Sequence, residues 1–216
     1  MKSVLIVGIG RFGRHLAKKF VELGNEVMIV DNDEEKISEL IPIVTTAQIG
    51  DCTNEEVLRS LGVRNFDICF VCIGNNFQSS LEVTSLLKEL GAKHVISKAN
   101  REIHAKFLLR NGADEVVYPE KDLAEKTATK YSANNVFDYI ELTDEYSIFE
   151  IPPMKSWIGK TIVETSIRSK YQLTILAIKR DNEILPAPSI NHIFVENEHL
   201  IVMGKKEHVM KIINKI

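Results

Sequence analysis

Val4-Leu5-Ile6-Val7-Gly8-Ile9-Gly10-Arg11-Phe12-Gly13 sets an apolar run directly before three glycines spaced GxGxxG. A helical pattern follows to Gly24, and a second apolar run, Val27-Met28-Ile29-Val30, stops at Asp31. Strand, glycine turn, helix, strand and acid, in that order, make up the dinucleotide-binding fingerprint in the context it needs. Gly8 permits the tight turn, Gly10 lets a phosphate approach the backbone, and Gly13 lets the helix pack close to the strand. The free N–H groups and positive end of that helix face the phosphates. Asp31 is placed to accept hydrogen bonds from ribose hydroxyls, and its charge disfavours the extra phosphate of NADP.

The alternation continues outward from this stretch. Further strands are expected over residues 44–49, 66–73, 94–97 and 115–118. Helices are expected between them: an acid-rich start at Asn32, a capping-box pattern from Thr53, then residues 77–90 and 101–111. Such alternation implies βαβ units and a parallel sheet, with right-handed crossovers that bring every strand's C-terminal end to one edge. Asp31, Asp51, Gly74-Asn75-Asn76, Lys98 and Pro119-Glu120 each follow a strand, so they gather there with the glycine loop. Ligands of open α/β sheets bind at that edge.

From Pro119 the pattern is helical to Tyr131 and weakly so to Tyr139, and the character changes near Asp144. Alternation over 146–151, a short helix over 162–167, a hairpin of 173–179 and 183–185 around Asp181-Asn182, a strand over 199–203 and a helix over 205–213 form a small module. The expected class is therefore α/β: a Rossmann-like doubly wound parallel sheet with a smaller C-terminal α+β domain. The expected divisions are a nucleotide-binding domain over 1–120, a crossover helix and linker over 121–143, and a C-terminal domain over 144–216.

The 216 residues suffice for one large or two small domains, and 44% hydrophobic with 26% charged residues is ordinary for a globular protein. A net charge of −3 gives no electrostatic basis for nucleic acid or an anionic membrane as partner. No apolar run reaches bilayer length, and glycines end the N-terminal run too soon for a signal peptide, so the cytoplasm is the expected compartment. Cys69 and Cys72 form a CxxC inside an expected strand, where residues three apart face opposite ways. They and Cys52 read as small buried side chains, not as a redox or metal pair. His15, His94, His192, His199 and His208 are scattered without metal-ligand spacing.

Several segments together resemble one family. They are the loop from Val7 to Gly13, Leu61-Gly62-Val63-Arg64-Asn65-Phe66, Gly112-Ala113-Asp114, Pro119-Glu120-Lys121-Asp122, Asp144-Glu145-Tyr146-Ser147-Ile148, and Lys170-Tyr171 with Thr174-Ile175-Leu176-Ala177-Ile178. The chain resembles, over its whole length, the cytoplasmic regulatory subunits of Ktr/Trk potassium uptake systems of the KtrA/TrkA type, in their short form. The resemblance implies a nucleotide-binding RCK domain (TrkA-N) followed by a C-terminal RCK domain (TrkA-C), in a regulatory subunit that is not an enzyme. It implies dimers assembled into an octameric ring, docked under a membrane K⁺ translocating subunit of KtrB/TrkH type at the inner face of the cell membrane. ATP and ADP would hold the ring in different shapes that gate the pore, and some members bind NAD or NADH.

The resemblance also bears on single residues. It implies that Arg11 senses the terminal phosphate of ATP, and a guanidinium at a helix N-terminus does add positive charge where phosphates lie. Phe12 shares that loop. Asn32 and Asp33 follow the ribose acid, and Asp33 reads equally as a helix cap. Asp51 and Cys52 match the family's adenine-side strip, while Thr53 reads as a cap. Ile73, Gly74 and Asn75 line the same edge, and so do Lys98, Ala99 and Asn100, with Lys98 placed to balance phosphate or carboxylate charge. His104 matches a family site position, although a lone helix histidine is more often structural. Glu120 complements a helix dipole, and the resemblance implies that it binds Mg²⁺ or another divalent cation near the nucleotide. Ile162, Ile167, Arg168 and Pro188 lie in segments that form a cyclic di-AMP site in some relatives, with core packing and surface exposure the stronger reading here. Leu123, Ala124, Ala128, Tyr131 and Val136 make the crossover an expected dimer surface.

Two rival classes share the first domain. A nicotinamide-dependent oxidoreductase needs an acid/base beside the hydride position, and the residues after Asp144 offer no convincing His/Lys/Asp cluster. A redox-sensing repressor needs a DNA-binding helix pair and a basic patch, and neither is visible. A binding switch leads.

Overall fold

The computed structural model describes residues 1–132, 138–181 and 183–213, so Val136 and Asn182 lie outside the described residues. The chain divides into two compact units, Met1–Lys121 and Asp122–Ile216.

The first unit carries six parallel strands: β1 (Ser3–Val7), β2 (Glu26–Asp31), β3 (Thr46–Ile49), β4 (Ile68–Val71), β5 (Val95–Lys98) and β6 (Glu115–Val117). Their spatial order is β3-β2-β1-β4-β5-β6. The chain steps outward from β1 to β3, then returns to lay β4 on the other side of β1, with Val4 in register with both Val27 and Ile68. That reversal is the switch point at which open α/β sheets form a crevice beyond the strand ends. Helices α1 (Arg11–Glu22), α2 (Glu34–Ser38), α3 (Glu55–Ser60), α4 (Phe77–Glu89) and α5 (Glu102–Arg110) connect the strands, and α6 (Pro119–Ser132) follows β6.

Continuous apolar runs suit strands covered on both faces. Val4, Ile6, Val27, Ile29 and Phe70 pack on one face with Ala17 of α1. Leu5, Val7, Val30 and Val71 pack on the other with Val83 and Leu87 of α4. Cys69 belongs to the second cluster and Cys72 to the first, so the CxxC thiols lie on opposite faces of the sheet. All three cysteines are buried and unbridged.

Three helix starts of this unit are closed by side chains. Asp33 accepts the N–H of Glu35 at 3.1 Å, Asn54 that of Glu56 at 3.0 Å, and Asn76 that of Ser79 at 3.1 Å. The cap of α3 is thus Asn54 and not the expected Thr53. Thr53 instead donates its N–H and hydroxyl to Asp51, at 3.0 and 2.8 Å. A turn at Asp51 satisfies Thr53 locally and moves the helix start on by one residue.

The second unit is an antiparallel sheet of β7 (Asp138–Glu141), β8 (Tyr146–Ile151), β9 (Thr174–Arg180), β10 (Glu183–Pro186) and β11 (Glu198–Lys205), ordered β10-β9-β11-β8-β7. Helices α7 (Ile162–Thr165), α8 (Ile167–Tyr171) and α9 (Lys206–Ile213) accompany it. Phe149, Trp157, Leu173, Phe194, Leu200, Val202, Val209 and Ile212 fill its core.

Two expectations are corrected here. The weak helical pattern does not run to Tyr139: residues 138–141 form β7, with Ile140 opposite Ile148, because strand pairing supplies backbone partners that a polar helix end lacks. The helix expected over 162–167 is two short helices, broken at Ser166, whose φ of +51° lies in the left-handed region. Thr161 and Glu164 form a full capping box that starts α7.

Candidate functional site

The glycine loop shows why two of its glycines are needed for the fold. Gly8 has φ +92°, and a Cβ there would lie 3.0 Å from the backbone of Cys72 and Ile73. A Cβ on Gly13 would overlap the Gly8 carbonyl oxygen. Gly10 differs: its φ is −74°, and a Cβ there would meet nothing within 4 Å. Gly10 precedes α1, whose start has no side-chain cap, so the first N–H groups of that helix are left for another acceptor.

Asp31 closes β2 beside this loop. Its Oδ2 accepts the Ile9 N–H at 2.6 Å and its Oδ1 the Asp33 N–H at 2.9 Å, with Lys36 Nζ 3.7 Å away. Each oxygen keeps a second lone pair for a hydroxyl donor. Asn32 is exposed next to it. Asp33, besides capping α2, pairs with Lys36 at 3.0 Å, which holds its carboxyl below the usual carboxylate range.

On the β4 side, Ile73 packs with the buried Cys52 in one apolar cluster, while Asp51 and Asn75 are exposed. Burial pushes the Cys52 thiol up to about 12, with Asp51 and Asp31 adding to the effect.

Beyond β5 the arrangement is tighter. Lys98 Nζ donates to Glu120 Oε1 at 2.6 Å and lies 5.9 Å from the centre of the Phe12 ring. A Cβ on Gly74 would lie 3.9 Å from that nitrogen. Asn100 Nδ2 donates to the Gly74 carbonyl, and the buried Ala99 donates its N–H to Val117 at 2.9 Å. The Lys98 side chain is 12% exposed and that of Glu120 59%. Lys98 holds the Glu120 carboxyl below its ordinary range, and the exposed Arg11 contributes further. Residues from the starts of α1 and α6 and the ends of β4 and β5 thus meet around one ammonium group.

His104 does not join them. It is 2% exposed on α5, its ring 4.8 Å from Phe77, and its Nε2 has no partner. Burial, then the charge of Arg101, lowers its pKa.

Among the described residues no group of three or more His, Cys, Asp or Glu could hold a metal ion. A cation beside Glu120 would draw its remaining ligands from phosphate oxygens and water, which suits a hard divalent ion.

In the second unit Ile167 is buried in the core, Ile162 packs against it, Arg168 is exposed and Pro188 half-buried. A cavity of about 320 Å³ lies elsewhere in this unit, lined by Ile178, Arg180, Ile184, His192 and Glu198 among others. Glu198 is 1% exposed and accepts from Arg180 at 2.6 Å, from His192 at 3.1 Å and from the Val195 N–H at 3.2 Å. Reading the sequence missed this cluster. Its signal was an acid in phase with the core-facing Leu200 and Val202 of β11.

A doubly wound sheet with GxGxxG at its switch point, followed by an antiparallel module, defines a two-domain class with a Rossmann-like first half. The TrkA-N domain model matches residues 4–119 and the TrkA-C domain model residues 146–216. The chain belongs to the family that joins these two domains. It is 42% identical over 203 residues to Ktr system potassium uptake protein C of Bacillus subtilis, covering 94% of this chain and 92% of that one. It is 40% identical over 214 residues to Ktr system potassium uptake protein A of the same organism, covering 99% and 96%. Among solved structures it resembles a GsuK channel bound to NAD, with a TM-score of 0.68 at 21% identity. That match covers 96% of this chain but 38% of the channel chain.

Proposed function

We propose that this chain is the nucleotide-binding regulatory subunit of a potassium uptake system, acting as a switch on a membrane K⁺ translocating subunit and not as an enzyme. The observation that carries the nucleotide reading is Gly10. No internal contact and no unusual φ demands a glycine there, so its missing side chain serves the approach of something outside the chain. The near-full-length likeness to two Ktr system proteins supplies the transport context.

In this reading the phosphates lie at Gly8, Gly10, Arg11, Phe12 and Gly13, and the ribose at Asp31, Asn32 and Asp33. The adenine lies along Asp51, Cys52, Ile73, Gly74 and Asn75. Lys98, Ala99 and Asn100 close the site, and Glu120 faces a divalent cation such as Mg²⁺. His104 supports α5 behind them. ATP and ADP are the proposed switching pair. NAD and NADH share the same adenine, ribose and diphosphate, and a channel of this fold is bound to NAD. Residues 1–120 would sense nucleotide, 121–143 transmit, and 144–216 complete the assembly. Cyclic di-AMP would engage the second unit through Arg168 and Pro188, which reach solvent.

The proposed assembly is an octameric ring of dimers in the cytoplasm, held at the membrane through its partner. Leu123 and Tyr131 of α6 are 67% and 78% exposed, which suits the dimer surface. Moving a gate from almost shut to almost open takes about 5.5 kcal/mol of differential binding, or roughly 0.7 kcal/mol per site across eight sites. One charge-assisted hydrogen bond supplies more than that.

Calorimetric titration with ATP, ADP, NAD and NADH, with and without Mg²⁺, tests the proposal. Distinguishable binding of ATP and ADP is the expected result. Binding of NAD or NADH alone would redirect the reading to a redox sensor or oxidoreductase, and no binding would overturn it.

A further inference from the structure

We propose that Glu120 and the nucleotide phosphates compete for Lys98, so that phosphate binding displaces Glu120 and frees its carboxylate. This rests on the nucleotide reading above. The ion pair itself is the observation: 2.6 Å between Lys98 Nζ and Glu120 Oε1, with Glu120 22 residues away in sequence.

The two partners are held unequally. The stem of Lys98 is enclosed, with its head near Phe12 and Gly74, so the ammonium can move little. Glu120 is well exposed at the start of α6, so its carboxylate can turn to water when the ion pair is broken. Phe12 lies in the first turn of α1, next to the uncapped N–H groups that receive phosphate. An ammonium near that ring is within reach of the same phosphates. A diphosphate carries more charge than one carboxylate and also gathers the helix N–H groups, so it wins the exchange.

The competition gives Glu120 two opposed roles. Without a divalent cation it hinders phosphate binding by occupying Lys98. With one, the displaced carboxylate becomes a ligand and aids binding. A plain metal ligand would show only the second effect.

The test is calorimetric titration of ADP into the full chain, with divalent cations chelated, for the unaltered protein, Glu120→Gln, Lys98→Met and the double variant. Glu120→Gln should tighten ADP by about two- to fivefold, the scale of a partly exposed ion pair. Lys98→Met should weaken it. In the Lys98→Met background, Glu120→Gln should change nothing, which separates loss of competition from general relief of negative charge. Adding Mg²⁺ should abolish or reverse the Glu120→Gln advantage. Unchanged or weaker ADP binding by Glu120→Gln without divalent ions would overturn the competition and leave the nucleotide reading standing. Tightening that persists without Lys98 would also overturn it. Failure of the unaltered protein to bind ADP both with and without Mg²⁺ would overturn both.

Discussion

The carboxylate of Asp31 accepts the backbone N–H of Ile9 at 2.6 Å, so the acid that ends β2 also holds the glycine loop in place. The same group is thereby part of the fold and of the proposed ribose contact. Asp31→Ala would leave the N–H groups of Ile9 and Asp33 without their acceptor. A loss of about 1–3 kcal/mol is expected in urea denaturation, together with weaker nucleotide binding. Asp31→Asn keeps one acceptor oxygen and should lose less. An unchanged midpoint for the alanine variant would mean that water replaces the carboxylate at no cost.

Gly13 and Gly10 should separate folding from binding. Gly13→Ala drives a methyl group into the Gly8 carbonyl and should cost about 1–3 kcal/mol of stability. Gly10→Ala meets open space and should cost under about 1 kcal/mol, yet weaken nucleotide binding by about tenfold or more. Melting curves and calorimetry on the two variants read these effects independently. If Gly10→Ala binds as well as the unaltered chain, the phosphate does not approach at that residue.

Asp67 ties the start of β1 to the edge of β4. It accepts the Ser3 N–H at 3.0 Å and pairs with Lys93 at 3.0 Å, and these contacts lower its pKa from 3.8 to about 2. A depressed carboxyl pKa contributes stability that is present above 3.8 and lost as pH falls through about 2. Asp67→Asn should therefore be less stable than the unaltered chain at neutral pH, with the gap closing as pH falls across that window. Denaturation midpoints taken through the window check this. A constant gap would assign the loss to geometry and not to charge.

The three thiols should be inert in the folded protein. Burial raises Cys52, Cys69 and Cys72 each to about 12 from an ordinary 9.0, so the nucleophilic thiolate is scarce near neutrality. Stability from these groups is complete below 9.0 and is lost as pH rises toward 12. Ellman's reagent at about pH 8 should report almost no thiol until denaturant is added, and then three. Fast reaction of one thiol in the folded state would show that its cluster opens locally.

The first unit is legible in sequence because its central strands β1, β2 and β4 are covered on both faces and so read as apolar runs between glycine and acid punctuation. Asp138-Tyr139-Ile140-Glu141 carries no legible strand signal because four residues cannot establish a period, and its pairing with β8 is a tertiary fact. The break at Ser166 carried no glycine to announce it. Gathering at the strand ends could be read from topology, and it placed Lys98 and Glu120 on one edge. Their direct contact could not be read, since it depends on how two loops from different βα units meet. The Glu198 cluster is illegible in sequence for a similar reason: its partners Arg180 and His192 come from another strand and a loop.

Strand β10 closes one side of the second sheet with all four of its residues exposed. Its outer backbone groups form a template onto which an extended polypeptide could add, and Ile184 and Leu185 would give such a guest something apolar to grip. Three features limit that hazard. The row is four residues short, Glu183 puts a charge at its start, and Pro186 at its end has no N–H to offer. In the proposed ring, where identical subunits would be held at high local concentration, this blunted margin would favour ordered assembly over fibril-like strand addition.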